Sequence, residues 1–251
     1  MIDPLAPALR LAHIDSTNAE AARRAAAGDV GPLWLLAERQ SAGRGRRGRT
    51  WLDAPGNLFC TYLGSTRQPP ASIALLGFAA GLALVDACGD LGLAAGRARV
   101  KWPNDLLLDG AKAAGVLIDC ASLDGGEGCW FALGVGLNLA SAPAGLDQPT
   151  APLGAALGAP PAPEQAFAAL RRHLAAWADR LVREGFAALH EPWRQHAAGL
   201  GEMIAVDCNG ARTAGRFVDL SETGELVFLP AGARDPIRIA AGDIYLPPAA
   251  N

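Results

Sequence analysis

Arg44, Arg46, Arg47 and Arg49 crowd into "GRGRRGRTW" with Gly43, Gly45 and Gly48 between them, in a chain of net charge −3. Guanidinium groups present planar pairs of donors, and glycines let backbone N–H groups come close to an anion. Such a loop suits a polyphosphate; a solvated basic loop and a nucleic-acid patch are the alternatives. Like charges this close repel, so the loop is expected to stay mobile until an anion neutralises it. An apolar strand precedes the loop and Trp51 follows, beside which a flat base would fit. The P-loop pattern G-x-x-x-x-G-K-[ST] is absent. In "KWPND", Lys101 and Trp102 end a strand, and Pro103 keeps Trp102 out of the helical conformation. A lysine fixed there can reach a carboxylate and a phosphate together. "GVGLNLA" puts Gly134 and Gly136 at a strand exit, where a ligand can approach the backbone, and Asn138 where it could read a base or ribose. "DSTN" starts a helix, so its hydroxyls and N–H groups face whatever sits over that end.

These residues need a scaffold, and the chain can build one: 251 residues, 51% hydrophobic and 19% charged. Helices are predicted from Ser16 or Thr17 to Gly28, with Glu20 placed for a capping box, over residues 72–93, from Pro163 to Gly185, and over a shorter stretch after Phe186. "LWLLAER", "NLFCTYLG", "RVKW" and "CWFALGVGLNLA" read as strands, with Asn104-Asp105 as a turn and Asp109-Gly110 closing a hairpin. Residues 141–163 form a long connection with a short helix. After Gly201, short strands separated by Asn209-Gly210, Thr223-Gly224 and Ala231-Gly232 read as a small all-β barrel. The prediction is an α+β domain on a mixed or antiparallel sheet, residues 1–195, and a second domain at 200–251. The apolar run "SIALLGFAAGLALVDACGDLGL" carries Asp86 and Asp90 and reads as a buried helix rather than a membrane span. Five scattered cysteines with no C-x-x-C pair argue against structural zinc and for reduced thiols in a cytoplasmic protein.

"STN", "ERQSAGRGRRGRTW", "KWPNDLLLDGAKAAGVLID", "GVGLNL" and the C-terminal β unit, in that order from about residue 10 to 246, resemble the biotin protein ligases (biotin–[acetyl-CoA-carboxylase] ligases). The resemblance implies a class II synthetase-like catalytic fold with an SH3-like C-terminal domain. It implies that biotin and ATP, with Mg²⁺, give biotinyl-5′-adenylate, and that the biotinyl group then passes to one lysine of the biotin carboxyl carrier domain of acetyl-CoA carboxylase. By the same resemblance Ser16, Thr17, Asn18, Gln40, Arg44, Gly45, Arg46, Lys101 and Gly115 are candidates for biotin. Arg44, Arg46, Arg47, Arg49, Trp51, Asn104, Lys112 and Asn138 are candidates for ATP and the adenylate. Lys101 and Arg46 are the candidate catalytic pair, and Asn104 and Asp105 lie near any Mg²⁺, although a turn explains them equally. Lys112 and Gly115 of "K-x-A-G" also fit an ordinary strand. Because the "STN" helix begins by residue 16, the resemblance implies a ligase-only type without an N-terminal DNA-binding domain. No nucleic-acid or membrane partner is expected, and the state is monomer or homodimer. Within the same fold a lipoate or octanoate ligase or transferase is the rival reading. A nucleic-acid-binding module is the rival from another class.

Overall fold

The computed structural model describes residues 2–123, 125–146, 148–208 and 210–247. Seven strands form the main sheet: β1 (Ala8–Ile14), β2 (Leu33–Gln40), β3 (Leu58–Thr66), β4 (Ala98–Lys101), β5 (Asp105–Leu108), β6 (Ala111–Ser122) and β7 (Cys129–Leu137). They lie in the order β1-β2-β3-β7-β6-β5-β4, with β1 parallel to β2 and the other pairs antiparallel. The edge strand β1 was not expected from the sequence, because none of its residues is fully buried.

Six helices pack on this sheet: α1 (Thr17–Ala26), α2 (Pro70–Ala74), α3 (Leu76–Asp90), α4 (Leu153–Leu157), α5 (Pro163–Glu184) and α6 (Ala187–His196). The single helix expected over 72–93 is two. Leu75, at φ −66° and ψ −19°, takes a tighter 3₁₀-like turn between α2 and α3. Helix α3 is an interior helix packed against α5, α6 and the sheet, as expected for that apolar run. Asp109 (φ 48°) and Gly110 (φ 85°) make the left-handed pair that a two-residue hairpin turn needs. The turn expected at Asn104-Asp105 ends one residue earlier, because Asp105 pairs with Gly115 and opens β5. Ser16 caps α1 by accepting from the Ala19 N–H, while Glu20 pairs with Arg23 and Arg24 instead of forming a capping box.

Strand residues alternate between faces, and the two faces of this sheet differ in kind. Trp34, Leu36, Cys60, Tyr62, Leu133 and Val135 point into the large core under α3 and α5. Their neighbours Leu35, Leu63 and Ala132 meet Ala21 of α1 on the other face. Thr61, Gly134, Gly136, Gly115 and Leu117 share that second face, and the site lies there.

The C-terminal strands β8 (Met203–Cys208), β9 (Ala211–Leu220), β10 (Leu226–Pro230), β11 (Ile237–Ile239) and β12 (Asp243–Tyr245) form an antiparallel sheet in the order β11-β10-β9-β8-β12. Asn209 of the expected Asn209-Gly210 turn lies outside the described residues. Phe217, Leu226 and Phe228 join the main core, and the Trp102 indole N–H donates to the Gly224 carbonyl at 3.1 Å, tying this sheet to the seven-stranded one.

Candidate active site

A cleft of about 410 Å³ opens on the α1 face of the main sheet, within the size range of small-molecule sites. Its closed end is polar and buried. Ser16, Thr17, Asn18 and Gln40 are each less than 10% exposed, and the Gln40 side-chain oxygen accepts from the Thr17 N–H at 2.8 Å. Burying so many polar groups costs free energy unless they are paired, and here they pair with one another and with Thr61 and Asp119.

The middle of the cleft is shaped by missing side chains. Gly115 and Gly136 are cross-strand partners on β6 and β7, and the Trp51 ring lies over both. A Cβ at Gly136 would sit 2.5 Å from that ring, and one at Gly115 would sit 2.8 Å from it. The glycine row does allow close backbone approach, but what approaches is the protein's own Trp51. At Gly134 it is the Asn18 carboxamide. The buried Trp51 indole N–H has no acceptor among the described residues.

The open end carries the charge. Asp105, 9% exposed, binds Lys112 Nζ at 2.7 Å and Lys101 Nζ at 3.5 Å. Lys101 also donates to the Gln148 side-chain oxygen at 2.9 Å. Burial holds the Lys101 pKa below that of an ordinary lysine; Asp105 opposes the shift and Lys112 adds to it. Asn104 accepts from Arg46 at 3.0 Å and donates to the Val116 carbonyl at 2.6 Å, so it fixes the arginine and the turn at once. Burial lowers the Arg46 pKa in turn, against the pull of Asp243.

The Gly/Arg loop is not left without an anion. Its ends form a bridge between Arg44 and Thr50, and residues 46–48 make one 3₁₀ turn. Asp243 at the start of β12 lies 2.8 Å from Arg49, 3.4 Å from Arg47 and 3.9 Å from Arg46. This carboxylate is a counter-charge that the repulsion argument from sequence did not include. Arg44, Gly45, Arg46 and Arg49 line the cleft, as do Lys101, Asn104, Lys112, Gly115 and Asn138. Arg47, at φ 55°, turns to Asp243 and is not among the lining residues. Asp243, Ile244, Tyr245 and Gln148 line the cleft and were missed in the sequence. Only the opposite charge of Asp243 hinted at a role. Among the described residues no group of three or more His, Cys, Asp or Glu side chains could hold a metal ion.

A model of the Biotin/lipoate A/B protein ligase family matches residues 12–138. The chain is 41% identical over 231 residues to a biotin–[acetyl-CoA-carboxylase] ligase of Paracoccus denitrificans, covering 88% of this chain and 94% of the relative. It is 32% identical to the Mycobacterium tuberculosis ligase of the same name, covering 93% of this chain and 86% of that one. In fold it is similar to the biotin protein ligase of Aquifex aeolicus solved with biotin and ATP, with a TM-score of 0.79 at 22% identity, over 95% of this chain and 97% of that one. By these matches, and with the cleft on the face that the matched segment builds, the chain belongs to the biotin/lipoate A/B protein ligase family.

Proposed function

We propose that this protein is a biotin–[acetyl-CoA-carboxylase] ligase that makes biotinyl-5′-adenylate from biotin and ATP and passes the biotinyl group to a lysine of a carboxyl carrier domain. The observation that carries the reading is one cleft with a buried, neutral hydrogen-bonding end and a cationic end, separated by the Trp51–glycine cradle. A ring with polar edges suits the first end, and a carboxylate meeting a triphosphate suits the second.

In the first step a carboxylate oxygen of biotin attacks the α-phosphorus of ATP. The bond to the bridging oxygen breaks and pyrophosphate leaves. Two anions must meet, so the transition state needs fixed positive charge. Lys101 and Arg46 supply it, held by Asp105, Gln148 and Asn104. Both sit in a partly dry site, where such charges act more strongly than in water. In the second step the neutral amine of the acceptor lysine attacks the acyl carbon and AMP leaves. Arg44 and Arg49 cover the phosphates, and the closed loop keeps water from the mixed anhydride. Trp51 and Asn138 border the nucleoside, and the orphaned Trp51 N–H finds its acceptor on the ligand. Ser16, Thr17, Asn18 and Gln40 hold the biotin ring, with Gly115 as the wall.

Mg²⁺ would travel with the triphosphate. Asp105 and Asp243 already face lysines and arginines, and the described residues make no dedicated site for the ion. We assign residues 1–195 to the catalytic domain and 200–251 to a second domain whose Asp243, Ile244 and Tyr245 complete the cleft wall. Three of the four loop arginines face Asp243 at the cleft wall, which favours a small anionic ligand in the cleft over a nucleic-acid surface. ATP–pyrophosphate exchange with biotin, lipoate and octanoate side by side tests the proposal. Exchange driven by biotin alone is expected; exchange driven by lipoate or octanoate instead would overturn it.

A further inference from the structure

At the closed end of the cleft a chain of hydrogen bonds runs from Asp119 through Asn18 and Thr61 to Thr17 and Gln40, and its proton count is short by one. The Asn18 amide nitrogen donates to Asp119 at 3.0 Å and faces the Leu117 carbonyl at 3.4 Å. That fixes the amide, and its oxygen faces the Thr61 hydroxyl at 2.7 Å. An amide oxygen only accepts, so the single Thr61 proton goes to Asn18. The single Thr17 proton has two acceptors, the Thr61 oxygen at 2.8 Å and the Gln40 side-chain oxygen at 3.2 Å, and the shorter contact takes it. The Thr17 proton thus points inward. The Thr17 oxygen is left 3.2 Å from the Gln40 side-chain oxygen, which already accepts from the Thr17 N–H and cannot donate. Two acceptors face each other at the cleft wall, and a donor from the ligand satisfies them.

Thr61 is fully buried and is not among the residues lining the cleft, so it acts through Thr17 and Asn18. The fit around it is close. Thr61, Gly134 and Leu117 form one row across β3, β7 and β6, and any side chain at Gly134 would collide with the Asn18 oxygen. We propose that Thr61 is a positioning residue which, with Asn18 anchored by Asp119, sets the hydroxyl direction at the closed end so that the site selects a ligand bringing an N–H donor. The inference rests on the biotin reading and deepens it: the cyclic urea of biotin brings that N–H, and the dithiolane of a lipoyl group does not. A site built around a ligand donor rejects an analogue lacking it, because its acceptors stay unpaired.

Thr61→Val keeps the shape and removes the hydroxyl oxygen that accepts the Thr17 proton, and Thr61→Ser keeps that hydroxyl. Exchange kinetics with biotin, and binding of biotin against a tetrahydrothiophene-pentanoate that lacks the urea, are measured for wild type and both variants. Thr61→Val should raise the KM for biotin roughly 10–100-fold, the effect of a mismatched buried polar group, with kcat and the KM for ATP unchanged. Its preference for biotin over the urea-free acid should shrink by the same factor, and Thr61→Ser should restore both. Should Thr61→Val fail to fold, Asp119→Leu frees the Asn18 amide to turn over and is expected to narrow the same preference. An unchanged preference in the folded Val variant, or in the Leu variant where Val does not fold, would overturn the proposal. Equal loss for both acids would also overturn it, by showing a structural role. A wild type with no biotin-driven exchange would overturn the biotin reading and the proposal with it, a failure distinct from the others.

Discussion

Replacing Asp243 by Asn should unlatch the Gly/Arg loop of the ligand-free protein. The Asp243 side chain is 20% exposed and serves Arg49 at 2.8 Å, Arg47 at 3.4 Å and Arg46 at 3.9 Å. Partly exposed ion pairs contribute about 0.2–1 kcal/mol each and share one carboxylate here, so the set is worth about 1–2 kcal/mol. That is a factor of about 5–30 in the ratio of closed to open loop. Without the carboxylate, Arg47 and Arg49 lose their counter-charge and repel their neighbours, while Arg44 keeps Asp119 at 3.5 Å. Trypsin reads this directly, because it cuts after arginine and cleavage follows the open population when the loop opens and closes rapidly. Ligand-free Asp243→Asn should be cut within residues 44–49 about 5–30 times faster than wild type. The gap should narrow with a stable adenylate analogue, whose phosphate replaces the lost carboxylate. Equal cleavage of the two ligand-free proteins would refute the latch.

Lys101→Ala should slow adenylate formation about 10²-fold or more, with cooperative unfolding retained; near-normal pyrophosphate release would remove Lys101 from the chemistry. Because the Lys101 pKa is depressed by burial, its charge is lost at a lower pH than for an ordinary lysine, and exchange should fall as pH rises through that point. Asp105 opposes that shift, so Asp105→Asn should move the alkaline limb of the pH–rate profile to still lower pH, and an unmoved limb would contradict the assignment. Gly136→Ala should displace Trp51 and weaken adenylate binding while leaving the fold intact, as read by ligand-dependent tryptophan fluorescence and thermal unfolding. Burial pushes the Cys60 and Cys88 thiols up to about 12, so iodoacetamide at neutral pH should label the exposed Cys120 first and reach those two only on unfolding.

What could be read in the sequence is what local spacing encodes. The arginine loop, "KWPND", the glycine pairs and the capped α1 each announce themselves within a few residues, and the structure brings them to one cleft. The residues that organise them do not. Asp243 lies 194 residues from Arg49, and only the folded chain brings an acidic strand end to a basic loop. Thr61 reads as an ordinary β-branched strand residue until the alternation of β3 turns it toward Asn18. Gln148 sits in a connection rich in Pro and Ala, where no periodicity marks it. Edge strand β1 has an alternation too shallow to register, since neither of its faces is fully buried. The counter-charge to the arginine loop was not legible for the same reason: it comes from the other sheet.

The central claim is that one cleft joins biotin to AMP and then to a protein lysine. Intact-mass analysis of a biotin carboxyl carrier domain tests it most directly, after incubation with this protein, Mg²⁺, ATP and an equimolar mixture of biotin, lipoate and octanoate. One biotinyl group per carrier is expected, dependent on ATP and absent when the acceptor lysine is replaced by arginine. A carrier that stays unmodified, or that takes the lipoyl or octanoyl group instead, would contradict the account.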